Sequence, residues 1–173
     1  MRNVFWIREG VIGGRSGPNR DAWSPRDLAA GSVGAVLSVN DGELVRANEL
    51  AEVDIDYCCV PLSDAAPPRP GDLEICVNAL PRALSFVLRS IDFHRSVLVH
   101  CSSGKDRTGM FLSYFLCATE GLSPSDAIRE VRRVRPIALS AEGWDRFAYQ
   151  VLGELSPVNQ MQRKETSRRG SVA

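Results

Sequence analysis

Lysine and histidine are nearly missing from this chain of 173 residues: 19 of its 21 basic residues are arginine, and His94 and His100 are its two histidines. Two imidazoles supply a histidine-based metal site poorly. The five cysteines, Cys58, Cys59, Cys76, Cys101 and Cys117, form an odd set with no C-x-x-C pair. That argues against a disulfide framework or a zinc ribbon and fits a reducing compartment. Net charge is lacking too: 21 acidic residues balance the 21 basic ones, so no global field points to nucleic acid or to an anionic membrane as partner. The arginines scatter along the whole chain and read as compositional bias rather than as one binding surface. No apolar run approaches the roughly 18 residues that span a bilayer. The opening MRNVFWIREG carries no long apolar stretch after its charge, unlike a secretory signal. The expectation is a soluble, cytoplasmic protein without stable membrane insertion. There is no internal repeat, and nothing in the pattern fixes an oligomeric state.

What is present is an ordinary globular composition, 44% hydrophobic and 24% charged, at a length that fits one folded domain. Residues 4–15 read as two short strands joined at Glu9-Gly10 and closed by Gly13 and Gly14. The glycine-rich stretch 13–17 reads as a turn, since it matches no phosphate-binding fingerprint. Pro25 to Ala30 reads as a short helix, Val33 to Asn40 as a strand, Glu43 to Val53 as helical and Ile55 to Leu62 as a strand. A stiff, exposed loop follows from Ser63 to Gly71, with three prolines in it and Asp64 near its mouth. From Asp72 to Ile91 the apolar residues Leu73, Cys76, Val77, Leu80, Leu84, Val87, Leu88 and Ile91 recur at helical spacing, and Pro81 predicts a kink or break near Asn78 to Leu80. Ser96 to His100 is a strand, and 108–121 is a helix apolar on nearly every face, hence buried. Ser123-Pro124-Ser125-Asp126 starts a capped helix that stops before Pro136. A last helix, 140–155, puts Trp144, Phe147, Ala148, Val151 and Leu152 on a core face.

Strands alternating with helices predict a single α/β domain over residues 1–155, with a central, mostly parallel sheet of about four to five strands flanked by helices. Residues 156–173 carry four basic residues and one acid, lack apolar periodicity and predict a flexible basic tail. Within it Arg168-Arg169-Gly170-Ser171 resembles sites favoured by basophilic kinases, set against a plain solvated tail.

The most informative stretch is Val97 to Gly109, VLVHCSSGKDRTG, an apolar run that ends on His100-Cys101 and turns through polar residues into a helix. Cys101 and Arg107 enclose Ser102, Ser103, Gly104, Lys105 and Asp106, a spacing suited to gripping a phosphate while a thiolate attacks it. A phosphate monoester brings about two negative charges. Backbone N–H groups at a strand-to-helix turn meet that charge without burying many cations, and the helix N-terminus adds positive potential. Gly104 lets the backbone curl around the anion. Arg107 can give two parallel hydrogen bonds to phosphate oxygens. The same field favours the thiolate of Cys101, whose in-line attack on phosphorus forms a cysteinyl-phosphate that water then hydrolyses. Gly104-Lys105 does not make a nucleotide-binding P-loop, because Val99 stands where its first glycine belongs and Asp106, not Ser or Thr, follows the lysine.

This constellation resembles the cysteine-dependent protein tyrosine phosphatases, most closely the small dual-specificity-like branch. Its signature H-C-x5-R-[ST] stands here as His100-Cys101-SSGKD-Arg107-Thr108, and the wider resemblance covers residues 4 to about 152. The resemblance implies a protein tyrosine phosphatase-like fold and no cofactor or metal. It implies Cys101 as nucleophile, Arg107 as phosphate clamp, and Thr108 as the hydroxyl that bonds the sulfur and helps it leave. His100 would hold the loop's shape and tune the thiolate, with Ser102, Ser103, Gly104, Lys105 and Asp106 forming the rest of the substrate-binding loop. The family's general acid is an aspartate on an upstream loop, matched in VPLSDAAPP by Asp64. Asp54, Asp56 and Asp72 compete for that role, but the first two fall before or within a strand and Asp72 starts a helix.

The activity so implied is hydrolysis of phosphate monoesters, phosphotyrosine first with some phosphoserine or phosphothreonine in proteins. The alternatives are a phosphoinositide or another small phosphorylated metabolite, or a non-catalytic phosphate-binding module. Lys105 and Asp106 depart from the commonest tyrosine phosphatase loops. A lysine there resembles members acting on phosphoinositides, Asp106 offsets its charge, and G-K-D-R-T also resembles bacterial phosphatases of mixed activity. Cys58, Cys59, Cys76 and Cys117 fall on predicted core elements and read as structural, with a protective disulfide from Cys58 or Cys59 to Cys101 as an alternative on oxidation. Arg129, Arg132, Arg133 and Arg135 read as a solvated or ion-paired helix face, with a substrate site as the alternative.

Overall fold

A computed structural model describes residues 3–156; the segment from 157 onward, with Ser171 and its kinase-like motif, lies outside the described residues. Among the described residues the apolar runs form five strands: β1 (Phe5–Arg8), β2 (Ile12–Ser16), β3 (Val33–Ser38), β4 (Asp56–Cys59) and β5 (Ser96–Cys101), in the order β1-β2-β5-β3-β4. Only β1 and β2 are antiparallel; the other three pairings are parallel. A parallel sheet is covered on both faces, which is why its central strand reads as the unbroken apolar run Val97-Leu98-Val99. Ile12, Ala35, Leu37, Val97, Val99 and Cys101 enter the larger core, while Val36 and Leu98 point into a smaller one on the opposite face. Helices α1 (Pro25–Ala30) and α2 (Ala47–Ala51) close the smaller core through Leu28 and Leu50. The larger core is built by α3 (Asp72–Asp92), α4 (Asp106–Glu120), α5 (Pro124–Val134) and α6 (Trp144–Glu154).

The buried α4 and the capped start of α5, where Ser123 Oγ accepts the Asp126 N–H at 3.2 Å, follow the sequence pattern. Other elements differ from expectation. Gly13 and Gly14 do not form a turn but lie inside β2, pairing with β1 on one side and β5 on the other. A Cβ on Gly14 would stand 2.5 Å from the Phe5 ring and 2.8 Å from the Thr108 methyl, so the strand passes where a side chain does not fit. The helical reading of 43–53 resolves into a short 3-10 turn, Gly42–Leu44, and α2. The expected break at Pro81 is not there: α3 runs unbroken through Asn78 and Leu80. Its buried stripe on both sides of Pro81 (Cys76, Leu80, Ala83, Val87) packs into the same core and outweighs the hydrogen bond that proline cannot make.

The four parallel strands end along one edge of the sheet, and the segments following β2, β3, β4 and β5 gather there. This edge brings the loop after β4, with Asp64, toward the end of β5, with Cys101, and the loop that follows it. Among the described residues no helix is long and apolar enough to cross a membrane.

Candidate active site

The loop from Ser102 to Lys105 joins β5 to α4, and the four successive carbonyls from Cys101 to Gly104 are held from outside. The Gly17 N–H donates to Cys101 O (2.8 Å) and Ser102 O (3.0 Å), and Ser16 Oγ donates to Ser103 O (3.1 Å). Arg135 donates to Ser103 O through Nη2 (3.0 Å) and to Gly104 O through Nε (3.3 Å). In a planar trans peptide the N–H points opposite to the C=O. The four fixed carbonyls therefore turn the N–H groups of Ser102, Ser103, Gly104 and Lys105 to the inner side, where none has an acceptor among the described residues. Gly104 has φ 57°, and a Cβ there would stand 2.3 Å from the Arg15 carbonyl oxygen, so only glycine fits.

Cys101 is 1% exposed, and Thr108 Oγ1 donates to its Sγ at 3.2 Å. His100 projects to the other face of β5, where its Nε2 lies 2.6 Å from Ser38 Oγ, which in turn lies 3.0 Å from Tyr57 Oη. Tyr57 donates to the Gly42 carbonyl at 3.1 Å, and since a carbonyl only accepts, the direction of the whole chain follows. Ser38 donates to Tyr57, and the Nε2–H of His100 donates to Ser38. Nδ1 is buried without a partner among the described residues. Burial pushes His100 down to about 4 and Tyr57 up to about 12, so both are neutral at ordinary pH.

Arg107 reaches across to the loop after β4. Its Nε donates to Ser63 O at 2.9 Å and its Nη2 to Asp64 O, while Nη1 has no protein partner among the described residues. Asp64 is exposed. The rival acids sit elsewhere: Asp54 and Asp56 pair with Arg95 at the far end of β4, and Asp72 accepts the Arg69 N–H at 2.5 Å. Asp106 is 6% exposed; its Oδ1 accepts the Ala141 N–H at 3.0 Å and its Oδ2 lies 3.5 Å from Lys105 Nζ.

The arginines of α5 are ion-paired, Arg129 to Asp126, Arg133 to Glu130 and Arg132 to Asp145, whereas Arg135 braces the loop. That role had no sequence signal separating Arg135 from its neighbours. Cys59 is exposed rather than in the core. In register it lies beside Ser38, which lies beside His100, placing it two strand spacings from β5. That is about 9.6 Å, beyond the roughly 4.4–6.8 Å between Cα atoms that a disulfide spans. Cys58 is equally distant through Leu37 and Val99, so neither reaches Cys101 without strand movement.

Residues 19–150 match the family model described as dual specificity phosphatase, catalytic domain. The fold is shared with Tk-PTP in its active form, at a TM-score of 0.69 and 22% identity over 88% of this chain and 97% of that one. PTPMT1 aligns at 0.68 and 18% over 97% and 99%, and human DUSP28 at 0.66 and 18% over 90% and 96%. PTPMT1 in complex with PI(5)P aligns at 0.64 and 15% over 87% and 95%. A family match running from the loop after β2 into α6 makes this chain a member of the dual specificity phosphatase family, and thus a cysteine-dependent phosphatase.

Proposed function

We propose that the chain hydrolyses phosphate monoesters through a cysteinyl-phosphate on Cys101, with phosphotyrosine as its first substrate and phosphoserine and phosphothreonine as slower ones. The observation that carries this is the outward clamping of four successive carbonyls, which leaves the Ser102 to Lys105 amides facing a buried cysteine. Such amides stabilise the equatorial oxygens of a transferring phosphoryl group without reorganising as the reaction proceeds.

In the first step the Cys101 thiolate attacks phosphorus in line and the bond to the leaving oxygen breaks. Asp64, as the carboxylic acid, gives that oxygen its proton. In the second, water attacks phosphorus and hands a proton to the Asp64 carboxylate. The P–S bond breaks, and the Thr108 hydroxyl stabilises the departing thiolate. Arg107 serves both sides of the site: its Nε and Nη2 hold the acid loop, leaving Nη1 to phosphate. Neutral His100 exchanges no proton with substrate and holds the end of β5 through Ser38 and Tyr57. The 1% exposure of Cys101 supports a phosphotyrosyl side chain, the longer one, over a phosphoseryl one.

Phosphoinositides are the second candidate substrates, on the strength of Lys105 in the loop and of the similar PTPMT1 fold bound to PI(5)P. Hydrolysis of a generic aryl phosphate by the wild type and by Cys101→Ser tests the chemistry; no wild-type turnover in reducing buffer refutes it. Asp64→Asn should lower kcat by roughly two to four orders of magnitude with KM largely kept. An unchanged pH–rate profile in that variant would assign the proton to another group. The ratio of kcat/KM between phosphotyrosyl peptides and dispersed phosphoinositides orders the substrates.

A further inference from the structure

We propose that Trp144 is a positioning residue of the reaction, its indole N–H fixing the loop that carries Asp64 over the phosphate loop; this rests on the assignment of Asp64 as general acid. Residues 63–68 make no backbone–backbone hydrogen bond among the described residues. Besides the Cys76 sulfur against the Ser63 backbone, their tethers are three successive carbonyls: Ser63 O and Asp64 O, both held by Arg107, and Ala65 O, which accepts from Trp144 Nε1 at 2.9 Å. The Asp64 carboxyl is therefore flanked on both sides by anchored peptide units.

The two anchors are not equivalent. Arg107 also has to meet the phosphate, so its hold on the loop shares one guanidinium with the substrate. The Trp144 N–H has no other acceptor among the described residues, and its side chain is fully buried, packed edge-on against Phe147 at 5.6 Å. Its position is set from three directions. Gly143, with φ 77°, lies against Pro68 and Pro67, where a Cβ would come within 2.9 Å of the Pro68 ring. The Asp106 carboxylate holds the Ala141 N–H just before it. The Arg107 guanidinium lies over the indole face, 5.2 Å from the ring centre. Trp144 thus ties the acid loop to the end of the helix bundle whether or not phosphate is bound. Sequence periodicity places Trp144 in the core, which is correct, but does not show that its polar atom is spent on this loop.

Trp144→Phe keeps a ring in the core and under Arg107 while removing the N–H. Acid catalysis matters most when the leaving oxygen is basic. On phenyl phosphate the variant should therefore lose about ten- to a hundredfold in kcat/KM, and on dinitrophenyl phosphate, whose leaving group hardly needs a proton, less than about threefold. Asp64→Asn should show the same leaving-group pattern more strongly, and adding Trp144→Phe to it should cost little more. The benzothiophene analogue of tryptophan at position 144, which exchanges only N–H for sulfur, should reproduce Trp144→Phe and controls for packing. Equal losses on both esters, no loss on either, or losses that multiply with Asp64→Asn would overturn the proposal. Flat leaving-group dependence in Asp64→Asn itself would instead remove Asp64 as the acid, and the positioning role with it.

Discussion

His100→Gln should flatten the acid limb of this protein's stability. His100 is completely buried beside Trp23, bonded to Ser38 at 2.6 Å, and burial pushes it from its ordinary 6.5 down to about 4. As pH falls through 6.5 the unfolded chain takes up a proton that the folded chain refuses until about 4, so the folded state loses stability between those two values and none above them. At roughly 1.36 kcal/mol for each pH unit, the whole interval amounts to about 3 kcal/mol, of which about 2.5 is lost by pH 4.5. Against the roughly 5–15 kcal/mol that typically holds a domain together, about a fifth to three-fifths of the total is at stake. Glutamine can donate its amide N–H to Ser38 without titrating, and its stability should lack this contribution while keeping that of every carboxylate. Urea unfolding of both forms, followed by tryptophan fluorescence from pH 7.5 to 4.5, measures the difference directly. Equal pH slopes in the two proteins would refute a neutral, buried imidazole. By the same reasoning no limb of the pH–rate profile above pH 5 belongs to His100.

Two further outcomes test the phosphate loop. Gly104→Ala forces a methyl toward a backbone oxygen 2.3 Å away at φ 57°, which moves the loop or Arg15; kcat/KM on an aryl phosphate should fall about a hundredfold, with a lowered Tm. Arg135→Met removes the donors to Ser103 O and Gly104 O while filling similar space, and should weaken inhibition by inorganic phosphate about tenfold or more, measured as the change in inhibition constant.

The sequence carried the sheet, the buried α4 and the strand–loop–helix around Cys101 because each rests on short-range pattern: short apolar runs of strand length, an all-round apolar helix, and a signature whose residues are neighbours in the chain. Gly13 and Gly14 misled because glycine usually marks a turn, whereas here it thins a strand between Phe5 and Thr108, residues far apart in sequence. Pro81 misled for a related reason, since a local rule about hydrogen bonds was overridden by a core stripe. The braces of the phosphate loop were illegible for a different cause. Ser16 acts on Ser103 across 87 positions, and Arg135 looks like its three ion-paired neighbours until α5 is docked.

The pair at the loop's centre, Lys105 and Asp106, is divided by the fold into two different jobs. Asp106, buried and bonded to Ala141, fixes the entry to α6 and cannot turn toward a substrate without releasing it. Its remaining oxygen faces Lys105 at 3.5 Å, so the ammonium that a multiply phosphorylated headgroup would use is already partly neutralised. A second phosphate gains from Lys105 only by drawing it off Asp106, and loses that part of the attraction. In the proposed mechanism a single phosphate on a tyrosine uses the amides of Ser102 to Lys105 and Arg107, and leaves the pair intact. This geometry supports the proposed monophosphate substrate over a multiply phosphorylated one, and on that proposal Lys105→Met should reduce turnover of a phosphoinositide more than that of a phosphotyrosyl peptide.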